Sequence, residues 1–409
     1  MTQPRVRAVP RVEVVVVQPT PFCNINCSYC YLPQRDDRTV ISQSTIANLF
    51  GKLFVCGWSD SQLTVIWHAG EPLVVPVGFY RQAFAAIEAM RPPGIDLVHA
   101  FQTNGMLITP EWCELFTDWK VIVGVSIDGP KAMHDARRRT RAGGGTFDRT
   151  LAGIRLLRVR DIPFHVISVL SRAALDQPDM MHDFYAAEGI TQVGFNVEES
   201  EGDHVSDMLA NADARESYRR FLDRFWRRAR SDGRIGYVRE IDDMIRAVFR
   251  PRETAWRNPQ VEKLAMLNVD CRGNVSTFSP ELLGMKNADY DDFLIGNVNT
   301  DSFEQMCHSP ALAAMQRDIS AGVAACEAEC GYFSVRGGGA PINKLAENMS
   351  FASTRTVFCA LTHMAPADVV LGSVENLLAP DRGPGPQPRQ VPEAVERADS
   401  AFSSSTNYY

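Results

Sequence analysis

The sequence predicts an α/β protein built on a parallel sheet in the form of a closed or partial barrel. Short β-branched runs alternate with amphipathic helical stretches from residue 12 to about residue 200. The runs are largely apolar, which is typical of parallel strands that are covered on both faces. Six such βα units suggest a barrel, and in barrels the chemistry lies at the carboxyl ends of the strands. The loops that follow the strands are therefore the places to examine.

The expected elements follow one another in strand–helix order. Strands are predicted at 12–18, 63–68, 97–103, 121–127, 163–170 and 192–197, and helices between them at 44–56, 77–91, 110–118, 147–159 and 176–188. Two further helical stretches, 206–230 and 241–249, lead to short strands at 267–269 and 275–278.

The length of 409 residues exceeds what one core usually supports. We expect a barrel domain with a linker helix over residues 1–240 and a second domain over 241–375. Residues 376–409 are poor in apolar side chains and rich in proline, which predicts a disordered tail.

The composition excludes several classes of protein. The formal charge of −7 argues against a general nucleic-acid binder. No uninterrupted apolar run approaches the roughly 20 residues of a membrane span, and the apolar run at 14–17 is too short for a signal peptide. We therefore expect a cytoplasmic protein with no nucleic-acid or membrane partner.

Three cysteines follow the first predicted strand directly. Cys23, Cys27 and Cys30 are spaced C-x3-C-x2-C, and thiolates that converge from one loop select zinc, copper(I) or an iron–sulfur cluster. A structural zinc site needs four closed ligands, whereas three thiolates on a 4Fe-4S cluster leave one iron open. The alternative is that three cysteines pack here by coincidence. The other isolated cysteines, Cys56, Cys113 and Cys307, are interpreted as packing residues.

This motif, with the aromatic Tyr29 before its last cysteine, resembles that of the radical S-adenosylmethionine (SAM) superfamily, whose fold is a partial (β/α)6 TIM-like barrel. The resemblance implies a 4Fe-4S cluster whose open iron binds SAM. Cleavage of SAM by the reduced cluster would give a 5'-deoxyadenosyl radical that abstracts hydrogen from an unactivated carbon. It also implies an external reductant such as flavodoxin or ferredoxin.

Loops after later strands extend the resemblance. Gly70, Glu71 and Pro72 are similar to the family's Gly-Gly-Glu-Pro motif, which takes the SAM ammonium group, although Ala69 replaces the first glycine. Polar side chains at the other strand ends are expected to line the SAM and substrate cavity. These are Gln102, Asn104, Ser126 and Asn196 as cofactor-binding residues, with Tyr29 beside them and Asp128 in a catalytic role. Arg138, in the segment downstream of the fourth strand, matches the family's arginine that helps to hold the SAM carboxylate.

A second cysteine group resembles the SPASM domain, which binds auxiliary 4Fe-4S clusters. Cys326, Cys330 and Cys359 would be the metal ligands, with Cys271 a conceivable fourth. The family pattern has a cysteine where Arg336 stands, and arginine does not ligate iron as a thiolate does. The alternative is a degenerate SPASM-like domain that serves only to dock the substrate.

The finest resemblance is to the maturases of the glycine-rich-repeat peptide system, and it rests on residues 66–72, 193–199, 278–284, 296–298 and 337–348. It implies a cyclophane crosslink between an aromatic ring and a nearby β-carbon of a ribosomally made precursor peptide. No separate leader-binding domain is expected, so the barrel mouth and the second domain would bind the peptide. Two alternatives remain open: another outcome on a peptide, such as oxidation, epimerisation or thioether formation, or a non-catalytic metal-binding docking protein.

Overall fold

The computed structural model describes residues 10–199, 206, 208–209, 213–251 and 257–378. Within these ranges, one sheet of ten strands forms the centre of the molecule. The strands are β1 (Val12–Val17), β2 (Ser59–Trp67), β3 (Asp96–Thr103), β4 (Ile122–Ser126), β5 (Phe164–Leu170), β6 (Gln192–Val197), β7 (Tyr237–Val238), β8 (Met266–Val269), β9 (Asn274–Thr277) and β10 (Gly296–Asn297).

The strand order is β10-β9-β8-β1-β2-β3-β4-β5-β6-β7. The eight strands from β8 to β7 run parallel, while β9 and β10 are antiparallel additions at one edge. The prediction of an α/β fold around a parallel sheet is confirmed. Strand β8 comes from the predicted second domain and pairs directly with β1. The division into domains at residue 240 stays a prediction.

Helices connect the strands. They are α1 (Gln43–Cys56), α2 (Val77–Met90), α3 (Pro110–Asp118), α4 (Lys131–Arg137), α5 (Phe147–Val159), α6 (Pro178–Ala187), α7 (Ala214–Asp232), α8 (Arg239–Phe249), α9 (Phe303–Cys307), α10 (Pro310–Glu329), α11 (Pro341–Asn348), α12 (Val357–Cys359) and α13 (Ala365–Leu378). Most bounds agree with the prediction to within three residues. Helix α6 starts later than predicted because Pro178 occupies its first turn, where a missing N–H costs nothing. The start of the predicted helix 206–230 lies partly outside the described residues.

The two faces of the sheet differ. On β1, Val15 and Val17 point towards the helices and join the main core, whereas Val14 and Val16 belong to a separate small cluster. That cluster also contains apolar side chains of four other strands, namely Ile66, Ala100, Ile122 and Met266. Further along the same inner face the side chains become polar, as at Gln102. This change leaves space at the carboxyl ends of the strands.

The C-terminal helical stretch Val357–Glu375 is long and apolar enough to cross a membrane by length and composition, a feature missed in the sequence because it is not an uninterrupted apolar run. About half of it is buried, and α13 packs against α7 and α8, as a core helix does. The helix continues to Leu378, so the first residues of the predicted tail are helical. Residues 379–409, the rest of that predicted tail, lie outside the described residues.

Candidate active site

A cavity of about 400 Å³ opens at the carboxyl ends of the strands, a size typical of small-molecule sites. Its wall contains the three cysteines of the loop after β1, and also residues from the C-terminal segment 335–363. Most of the predicted cofactor-binding residues line it, namely Tyr29, Gly70, Glu71, Gln102, Asn104, Ser126, Arg138 and Asn196. Pro72 is buried and starts a short 3-10 turn next to this wall, without lining it.

The cysteine loop is held by the segment that carries the predicted SAM-binding arginine. Ile25 forms a β-bridge with Thr140. The Asn26 N–H donates to the Arg139 carbonyl at 2.7 Å, and the Ser28 N–H donates to the Arg137 carbonyl at 3.0 Å. These are backbone contacts, so they fix the loop independently of what the thiols bind.

The loop has the chemistry that an iron–sulfur cluster requires. Cys23, Cys27 and Cys30 line one cavity, and the Asn104 amide nitrogen lies 4.0 Å from the Cys23 sulfur. Burial raises the pKa of the Cys23 thiol to about 12 and that of Cys27 to about 11. Thiolates at these positions therefore need a bound cation to stabilise them. Among the described residues, no three His, Cys, Asp or Glu side chains are already arranged around a metal position. The assignment of these ligands stays a prediction.

Tyr29, Asp128 and Arg138, which the sequence suggested separately, form one buried group. The Arg138 Nε donates to Asp128 Oδ2 at 2.9 Å, and the Tyr29 hydroxyl donates to the same oxygen at 2.6 Å. Asp128 Oδ1 accepts the Val169 N–H at 3.0 Å. Burial raises the pKa of the Asp128 carboxyl, but the neighbouring Arg138 guanidinium outweighs it and holds this pKa below its usual value. The ion pair is therefore charged on both sides.

This geometry differs from the catalytic role expected for Asp128. Asp128 does not line the cavity, whereas Arg138 does. Its carboxylate orients the guanidinium and anchors Tyr29, and through Tyr29 it anchors the cysteine loop. Its contacts are those of a positioning residue, and a catalytic role for Asp128 stays a prediction.

Glu71 ties three loops together. Its backbone N–H donates to the Phe22 carbonyl in the cysteine loop at 2.9 Å. Its carboxylate accepts the Leu73 N–H at 3.0 Å, the Thr103 hydroxyl at 2.5 Å and the Asn104 N–H at 2.8 Å. Burial raises the pKa of Glu71 to about 7 in spite of these donors. Both oxygens of the Glu71 carboxylate accept hydrogen bonds from neighbouring loops, so its main role in this structure is to hold the loops around the cavity in place.

Two polar side chains face the cavity from adjacent strands. The Gln102 Nε2 donates to the Ser126 hydroxyl at 2.9 Å, while the buried Gln102 Oε1 has no partner within the described part of the chain. A Cβ at Gly124 would fall 2.1 Å from that oxygen, so a larger residue there would displace the Gln102 amide from this position. An unpartnered buried oxygen beside a cavity fits a hydrogen-bond donor on a bound cofactor.

The turn at Ala69 and Gly70 requires left-handed backbone, with φ of 67° and 87°. A Cβ at Gly70 would lie 2.2 Å from the Thr20 carbonyl oxygen. We expect Gly70→Ala to displace this turn and to weaken SAM binding at least about tenfold, since both strain and a clash act on it. Equilibrium binding of SAM to the anaerobically reconstituted protein measures this.

The matched control is Gly78→Ala in α2, where a Cβ meets nothing within 4 Å. This variant should bind SAM as the wild type does. Equal SAM affinity in the Gly70 and Gly78 variants would contradict a role of the turn in the cofactor site.

The second cysteine group lies outside this cavity wall. Two buried cations stand among Cys326, Cys330 and Cys359: Arg336 is 4% exposed and Lys344 is 3% exposed. The Arg336 Nη1 lies 3.6 Å from the Cys330 sulfur, and Lys344 contacts the Cys326 sulfur. Neither cation has a carboxylate partner within the described residues. A buried cation is stable only beside a negative charge. Deprotonation of the three cysteines, as in a metal-binding site, would give Arg336 and Lys344 that negative charge.

Sequence reasoning missed several residues in the cavity wall. Arg239 and Glu240 form a buried ion pair at the start of α8, and the Arg239 Nη2 donates to the predicted Asn196 at 2.7 Å. Glu281 and His363 also line the cavity. The Arg-Glu pair follows the two-residue strand β7, which is too short to give a periodic signal. Glu281 lies in the segment 278–284, which resembles the glycine-rich-repeat maturases, but no motif within that segment indicates a role for its side chain.

Comparison with known proteins identifies the family. Residues 17–184 match the model of the radical SAM superfamily. An uncharacterized protein of Synechocystis sp. is 38% identical over 375 residues, which is 90% of this chain and 93% of that protein. The serine-type anaerobic sulfatase-maturating enzyme of Klebsiella aerogenes is 30% identical over 215 residues, about half of each chain.

Solved structures agree in fold. The structure of native anSMEcpe with bound AdoMet and Kp18Cys peptide superposes with a TM-score of 0.72 at 16% identity, covering 89% of this chain and 98% of that one. Streptococcus suis SuiB bound to its precursor peptide SuiA gives 0.59 at 12% identity, covering 85% and 76%. At these identities the likeness concerns the fold alone.

The fold and the cysteine-lined cavity at its strand ends define a class of enzyme that works with SAM and an iron–sulfur cluster. The chain belongs to the radical SAM superfamily. The predictions of an enzyme, of SAM and of a 4Fe-4S cluster are thereby confirmed.

Proposed function

We propose that this enzyme is a peptide maturase that installs a cyclophane crosslink, joining an aromatic ring to a nearby β-carbon in a ribosomally made precursor peptide. The observation that carries the proposal is the composition of the cavity wall. Cys23, Cys27 and Cys30 share one cavity with Val335, Ile342 and Asn343 of the C-terminal segment. A peptide held between the cysteine loop and the C-terminal segment would lie against SAM and the cluster.

The cluster and SAM, when bound, supply a carbon radical that removes a hydrogen atom from an unactivated carbon. The residues of the chain bind SAM and orient it. Arg138 uses Nε for Asp128, so its terminal nitrogens remain for the SAM carboxylate. Gln102, Ser126 and Asn196 would hold the polar parts of SAM. The apolar wall around Ile167 and Phe195 excludes water from the reacting carbon.

The second cysteine group is proposed as an auxiliary 4Fe-4S site in a SPASM-like domain over residues 241–375. Its support is the pair of buried cations, Arg336 and Lys344, whose contacts are to sulfur. A crosslink that restores an aromatic ring must release one electron, and an iron–sulfur cluster is a suitable acceptor. A further proposed partner is an external reductant such as flavodoxin or ferredoxin. The proposed location of the enzyme is the cytoplasm.

A second candidate reaction is the oxidation of a peptide side chain without crosslinking. The resemblance in sequence to the sulfatase-maturating enzyme of Klebsiella aerogenes favours it. Both reactions remove two hydrogens from the substrate, so mass alone does not separate them. Fragmentation does, because a crosslink suppresses cleavage inside the ring that it closes.

The test is an anaerobic reaction of the reconstituted enzyme, SAM and a reductant with a precursor peptide encoded beside the gene. The expected product has lost two hydrogens and shows no fragment ions between the two joined residues. A reaction without SAM is the control. A product that has lost two hydrogens and fragments fully at every bond would establish oxidation and contradict the cyclophane.

A further inference from the structure

The cavity wall carries six carboxylates, and each is a candidate to accept a proton that the reaction releases. They are Glu71, Glu198, Glu199, Glu240, Asp243 and Glu281. A carboxylate that already neutralises an arginine, or that holds several backbone amides, takes up a proton only by leaving those groups unpaired. The contacts of each carboxylate therefore decide which of them can serve.

Three of the six are committed to the architecture of the site. Glu71 holds the loops after β2 and β3, as described above. Glu198 pairs with Arg137, from the segment that backs the cysteine loop. Glu199 accepts the Asn343 amide at 2.6 Å, and so links the loop after β6 to α11.

Two more lie at the start of α8. Glu240 Oε1 accepts both Nε and Nη2 of Arg239, at 2.8 and 2.5 Å, deep in the wall. Protonation of Glu240 would leave that buried guanidinium without its anion. Asp243 accepts the Tyr237 hydroxyl at 2.7 Å and pairs with Arg246.

Glu281 differs from the other five. Among the described residues its only side-chain partner is the Ser279 hydroxyl, and no arginine or lysine contacts it. Burial raises the pKa of the Glu281 carboxyl, against the effect of that hydrogen bond. A group with these properties exchanges its proton without breaking an ion pair.

The position of Glu281 also suits the reaction. It lies in the 3-10 turn Pro280–Leu282 that follows β9, and both Ser279 and Glu281 line the cavity. The same segment packs against the cysteine loop, since a Cβ at Gly284 would lie 3.0 Å from the Pro33 Cγ. The carboxylate therefore shares its cavity with the cysteines from a backbone that contacts their loop.

We propose that Glu281 is the general base that takes the proton released when the substrate radical is oxidised. In the proposed reaction, on which this inference rests, the β-carbon gives a hydrogen atom to the 5'-deoxyadenosyl radical, which becomes 5'-deoxyadenosine, and a carbon–carbon bond forms from that β-carbon to the aromatic ring. The ring then gives one electron to a one-electron acceptor, an oxidised iron–sulfur cluster. Its C–H bond breaks, that electron pair restores the aromatic ring, and the proton goes to the Glu281 carboxylate. The carboxylic acid returns the proton to solvent.

The same role holds for side-chain oxidation, in which the substrate radical also releases one electron and one proton. The inference is therefore separable from the cyclophane itself. If the wild-type product has lost two hydrogens but carries no crosslink, the proposed function fails while the role of Glu281 is tested in the same way.

The test compares wild type, Glu281→Gln and Glu281→Asp, with 5'-deoxyadenosine and modified peptide measured in each reaction. Glutamine keeps the shape and can accept from Ser279 but takes no proton. We expect Glu281→Gln to form product about 100-fold more slowly while 5'-deoxyadenosine continues to form, since general bases typically contribute at least that factor. Aspartate should restore part of the product. The acidic limb in the pH profile of product formation should be absent in the glutamine variant.

Three results would overturn the proposal. The first is an unchanged ratio of product to 5'-deoxyadenosine in Glu281→Gln. The second is an acidic limb that persists in that variant. The third is equal loss of 5'-deoxyadenosine in both variants, which would make Glu281 part of the SAM site instead of a base.

Discussion

Replacement of Cys23, Cys27 and Cys30 by alanine should reduce SAM cleavage to the background rate while the protein stays folded. Cleavage depends on a cluster that these thiolates hold, and no other described cysteine lines the cavity. The loop itself is secured by backbone contacts to residues 137–140, which alanine leaves in place. The measurement is 5'-deoxyadenosine formation after anaerobic reconstitution, with circular dichroism as the check on folding.

Iron and sulfide analysis of the same variant also tests the auxiliary site. If Cys326, Cys330 and Cys359 hold a second cluster, the triple variant keeps about half of the wild-type iron. The matched control is the double variant Cys56→Ala, Cys307→Ala, because these two thiols are also partly exposed but isolated. Full SAM cleavage in the triple variant would contradict the cluster assignment.

Replacement of Asp128 by alanine should be the most destabilising single change near the site. It leaves the Arg138 guanidinium buried without an anion and removes the acceptor for Tyr29 and Val169. Breaking a buried ion pair in this way costs about 3–5 kcal/mol of unfolding free energy. Denaturant unfolding of the anaerobic protein measures it, and Asp128→Asn, which keeps an accepting oxygen, should lose less.

The control is Asp179→Ala, which breaks the solvent-accessible ion pairs of Asp179 with Arg224 and Arg228. Exposed pairs contribute little to stability, so this variant should unfold almost as the wild type does. The double variant Asp128→Ala, Arg138→Met should regain part of the loss, since it removes the unpaired charge together with its partner. Equal stability of Asp128→Ala and Asp179→Ala would show that the buried pair does not carry the stability assigned to it.

Much of the fold could be predicted because its strands are short, apolar and β-branched, and each is followed by an amphipathic helix. Strand β6 was predicted to the residue, and α3 and α5 likewise. The pairing of β8 with β1 could not be predicted, because about 250 residues separate them and neither carries a local mark of its partner. Strand β7 has two residues, too few for any periodicity.

The site shows the same division. Sequence motifs predicted that the cysteines, Gly70 and Arg138 belong to the site. A motif does not show which side chains these residues contact in the folded protein. That Asp128 faces Arg138 and Tyr29, and not the cavity, depends on side-chain directions that only the folded chain sets. The same holds for Glu281, whose distinguishing property is that no arginine or lysine of the described residues contacts its carboxylate.

The pairing of β8 with β1 has a consequence for how the protein can be divided. Val14 to Val17 lie opposite Met266 to Val269, and the cysteine loop leaves β1 just beyond this ladder. A fragment that stops at residue 240 would present the bare edge of β1 to solvent, a template for association with other chains. The C-terminal segment therefore stabilises β1, the strand that carries the cluster loop, and its removal would disturb the SAM-binding cluster although the three cysteines of that loop remain in the fragment.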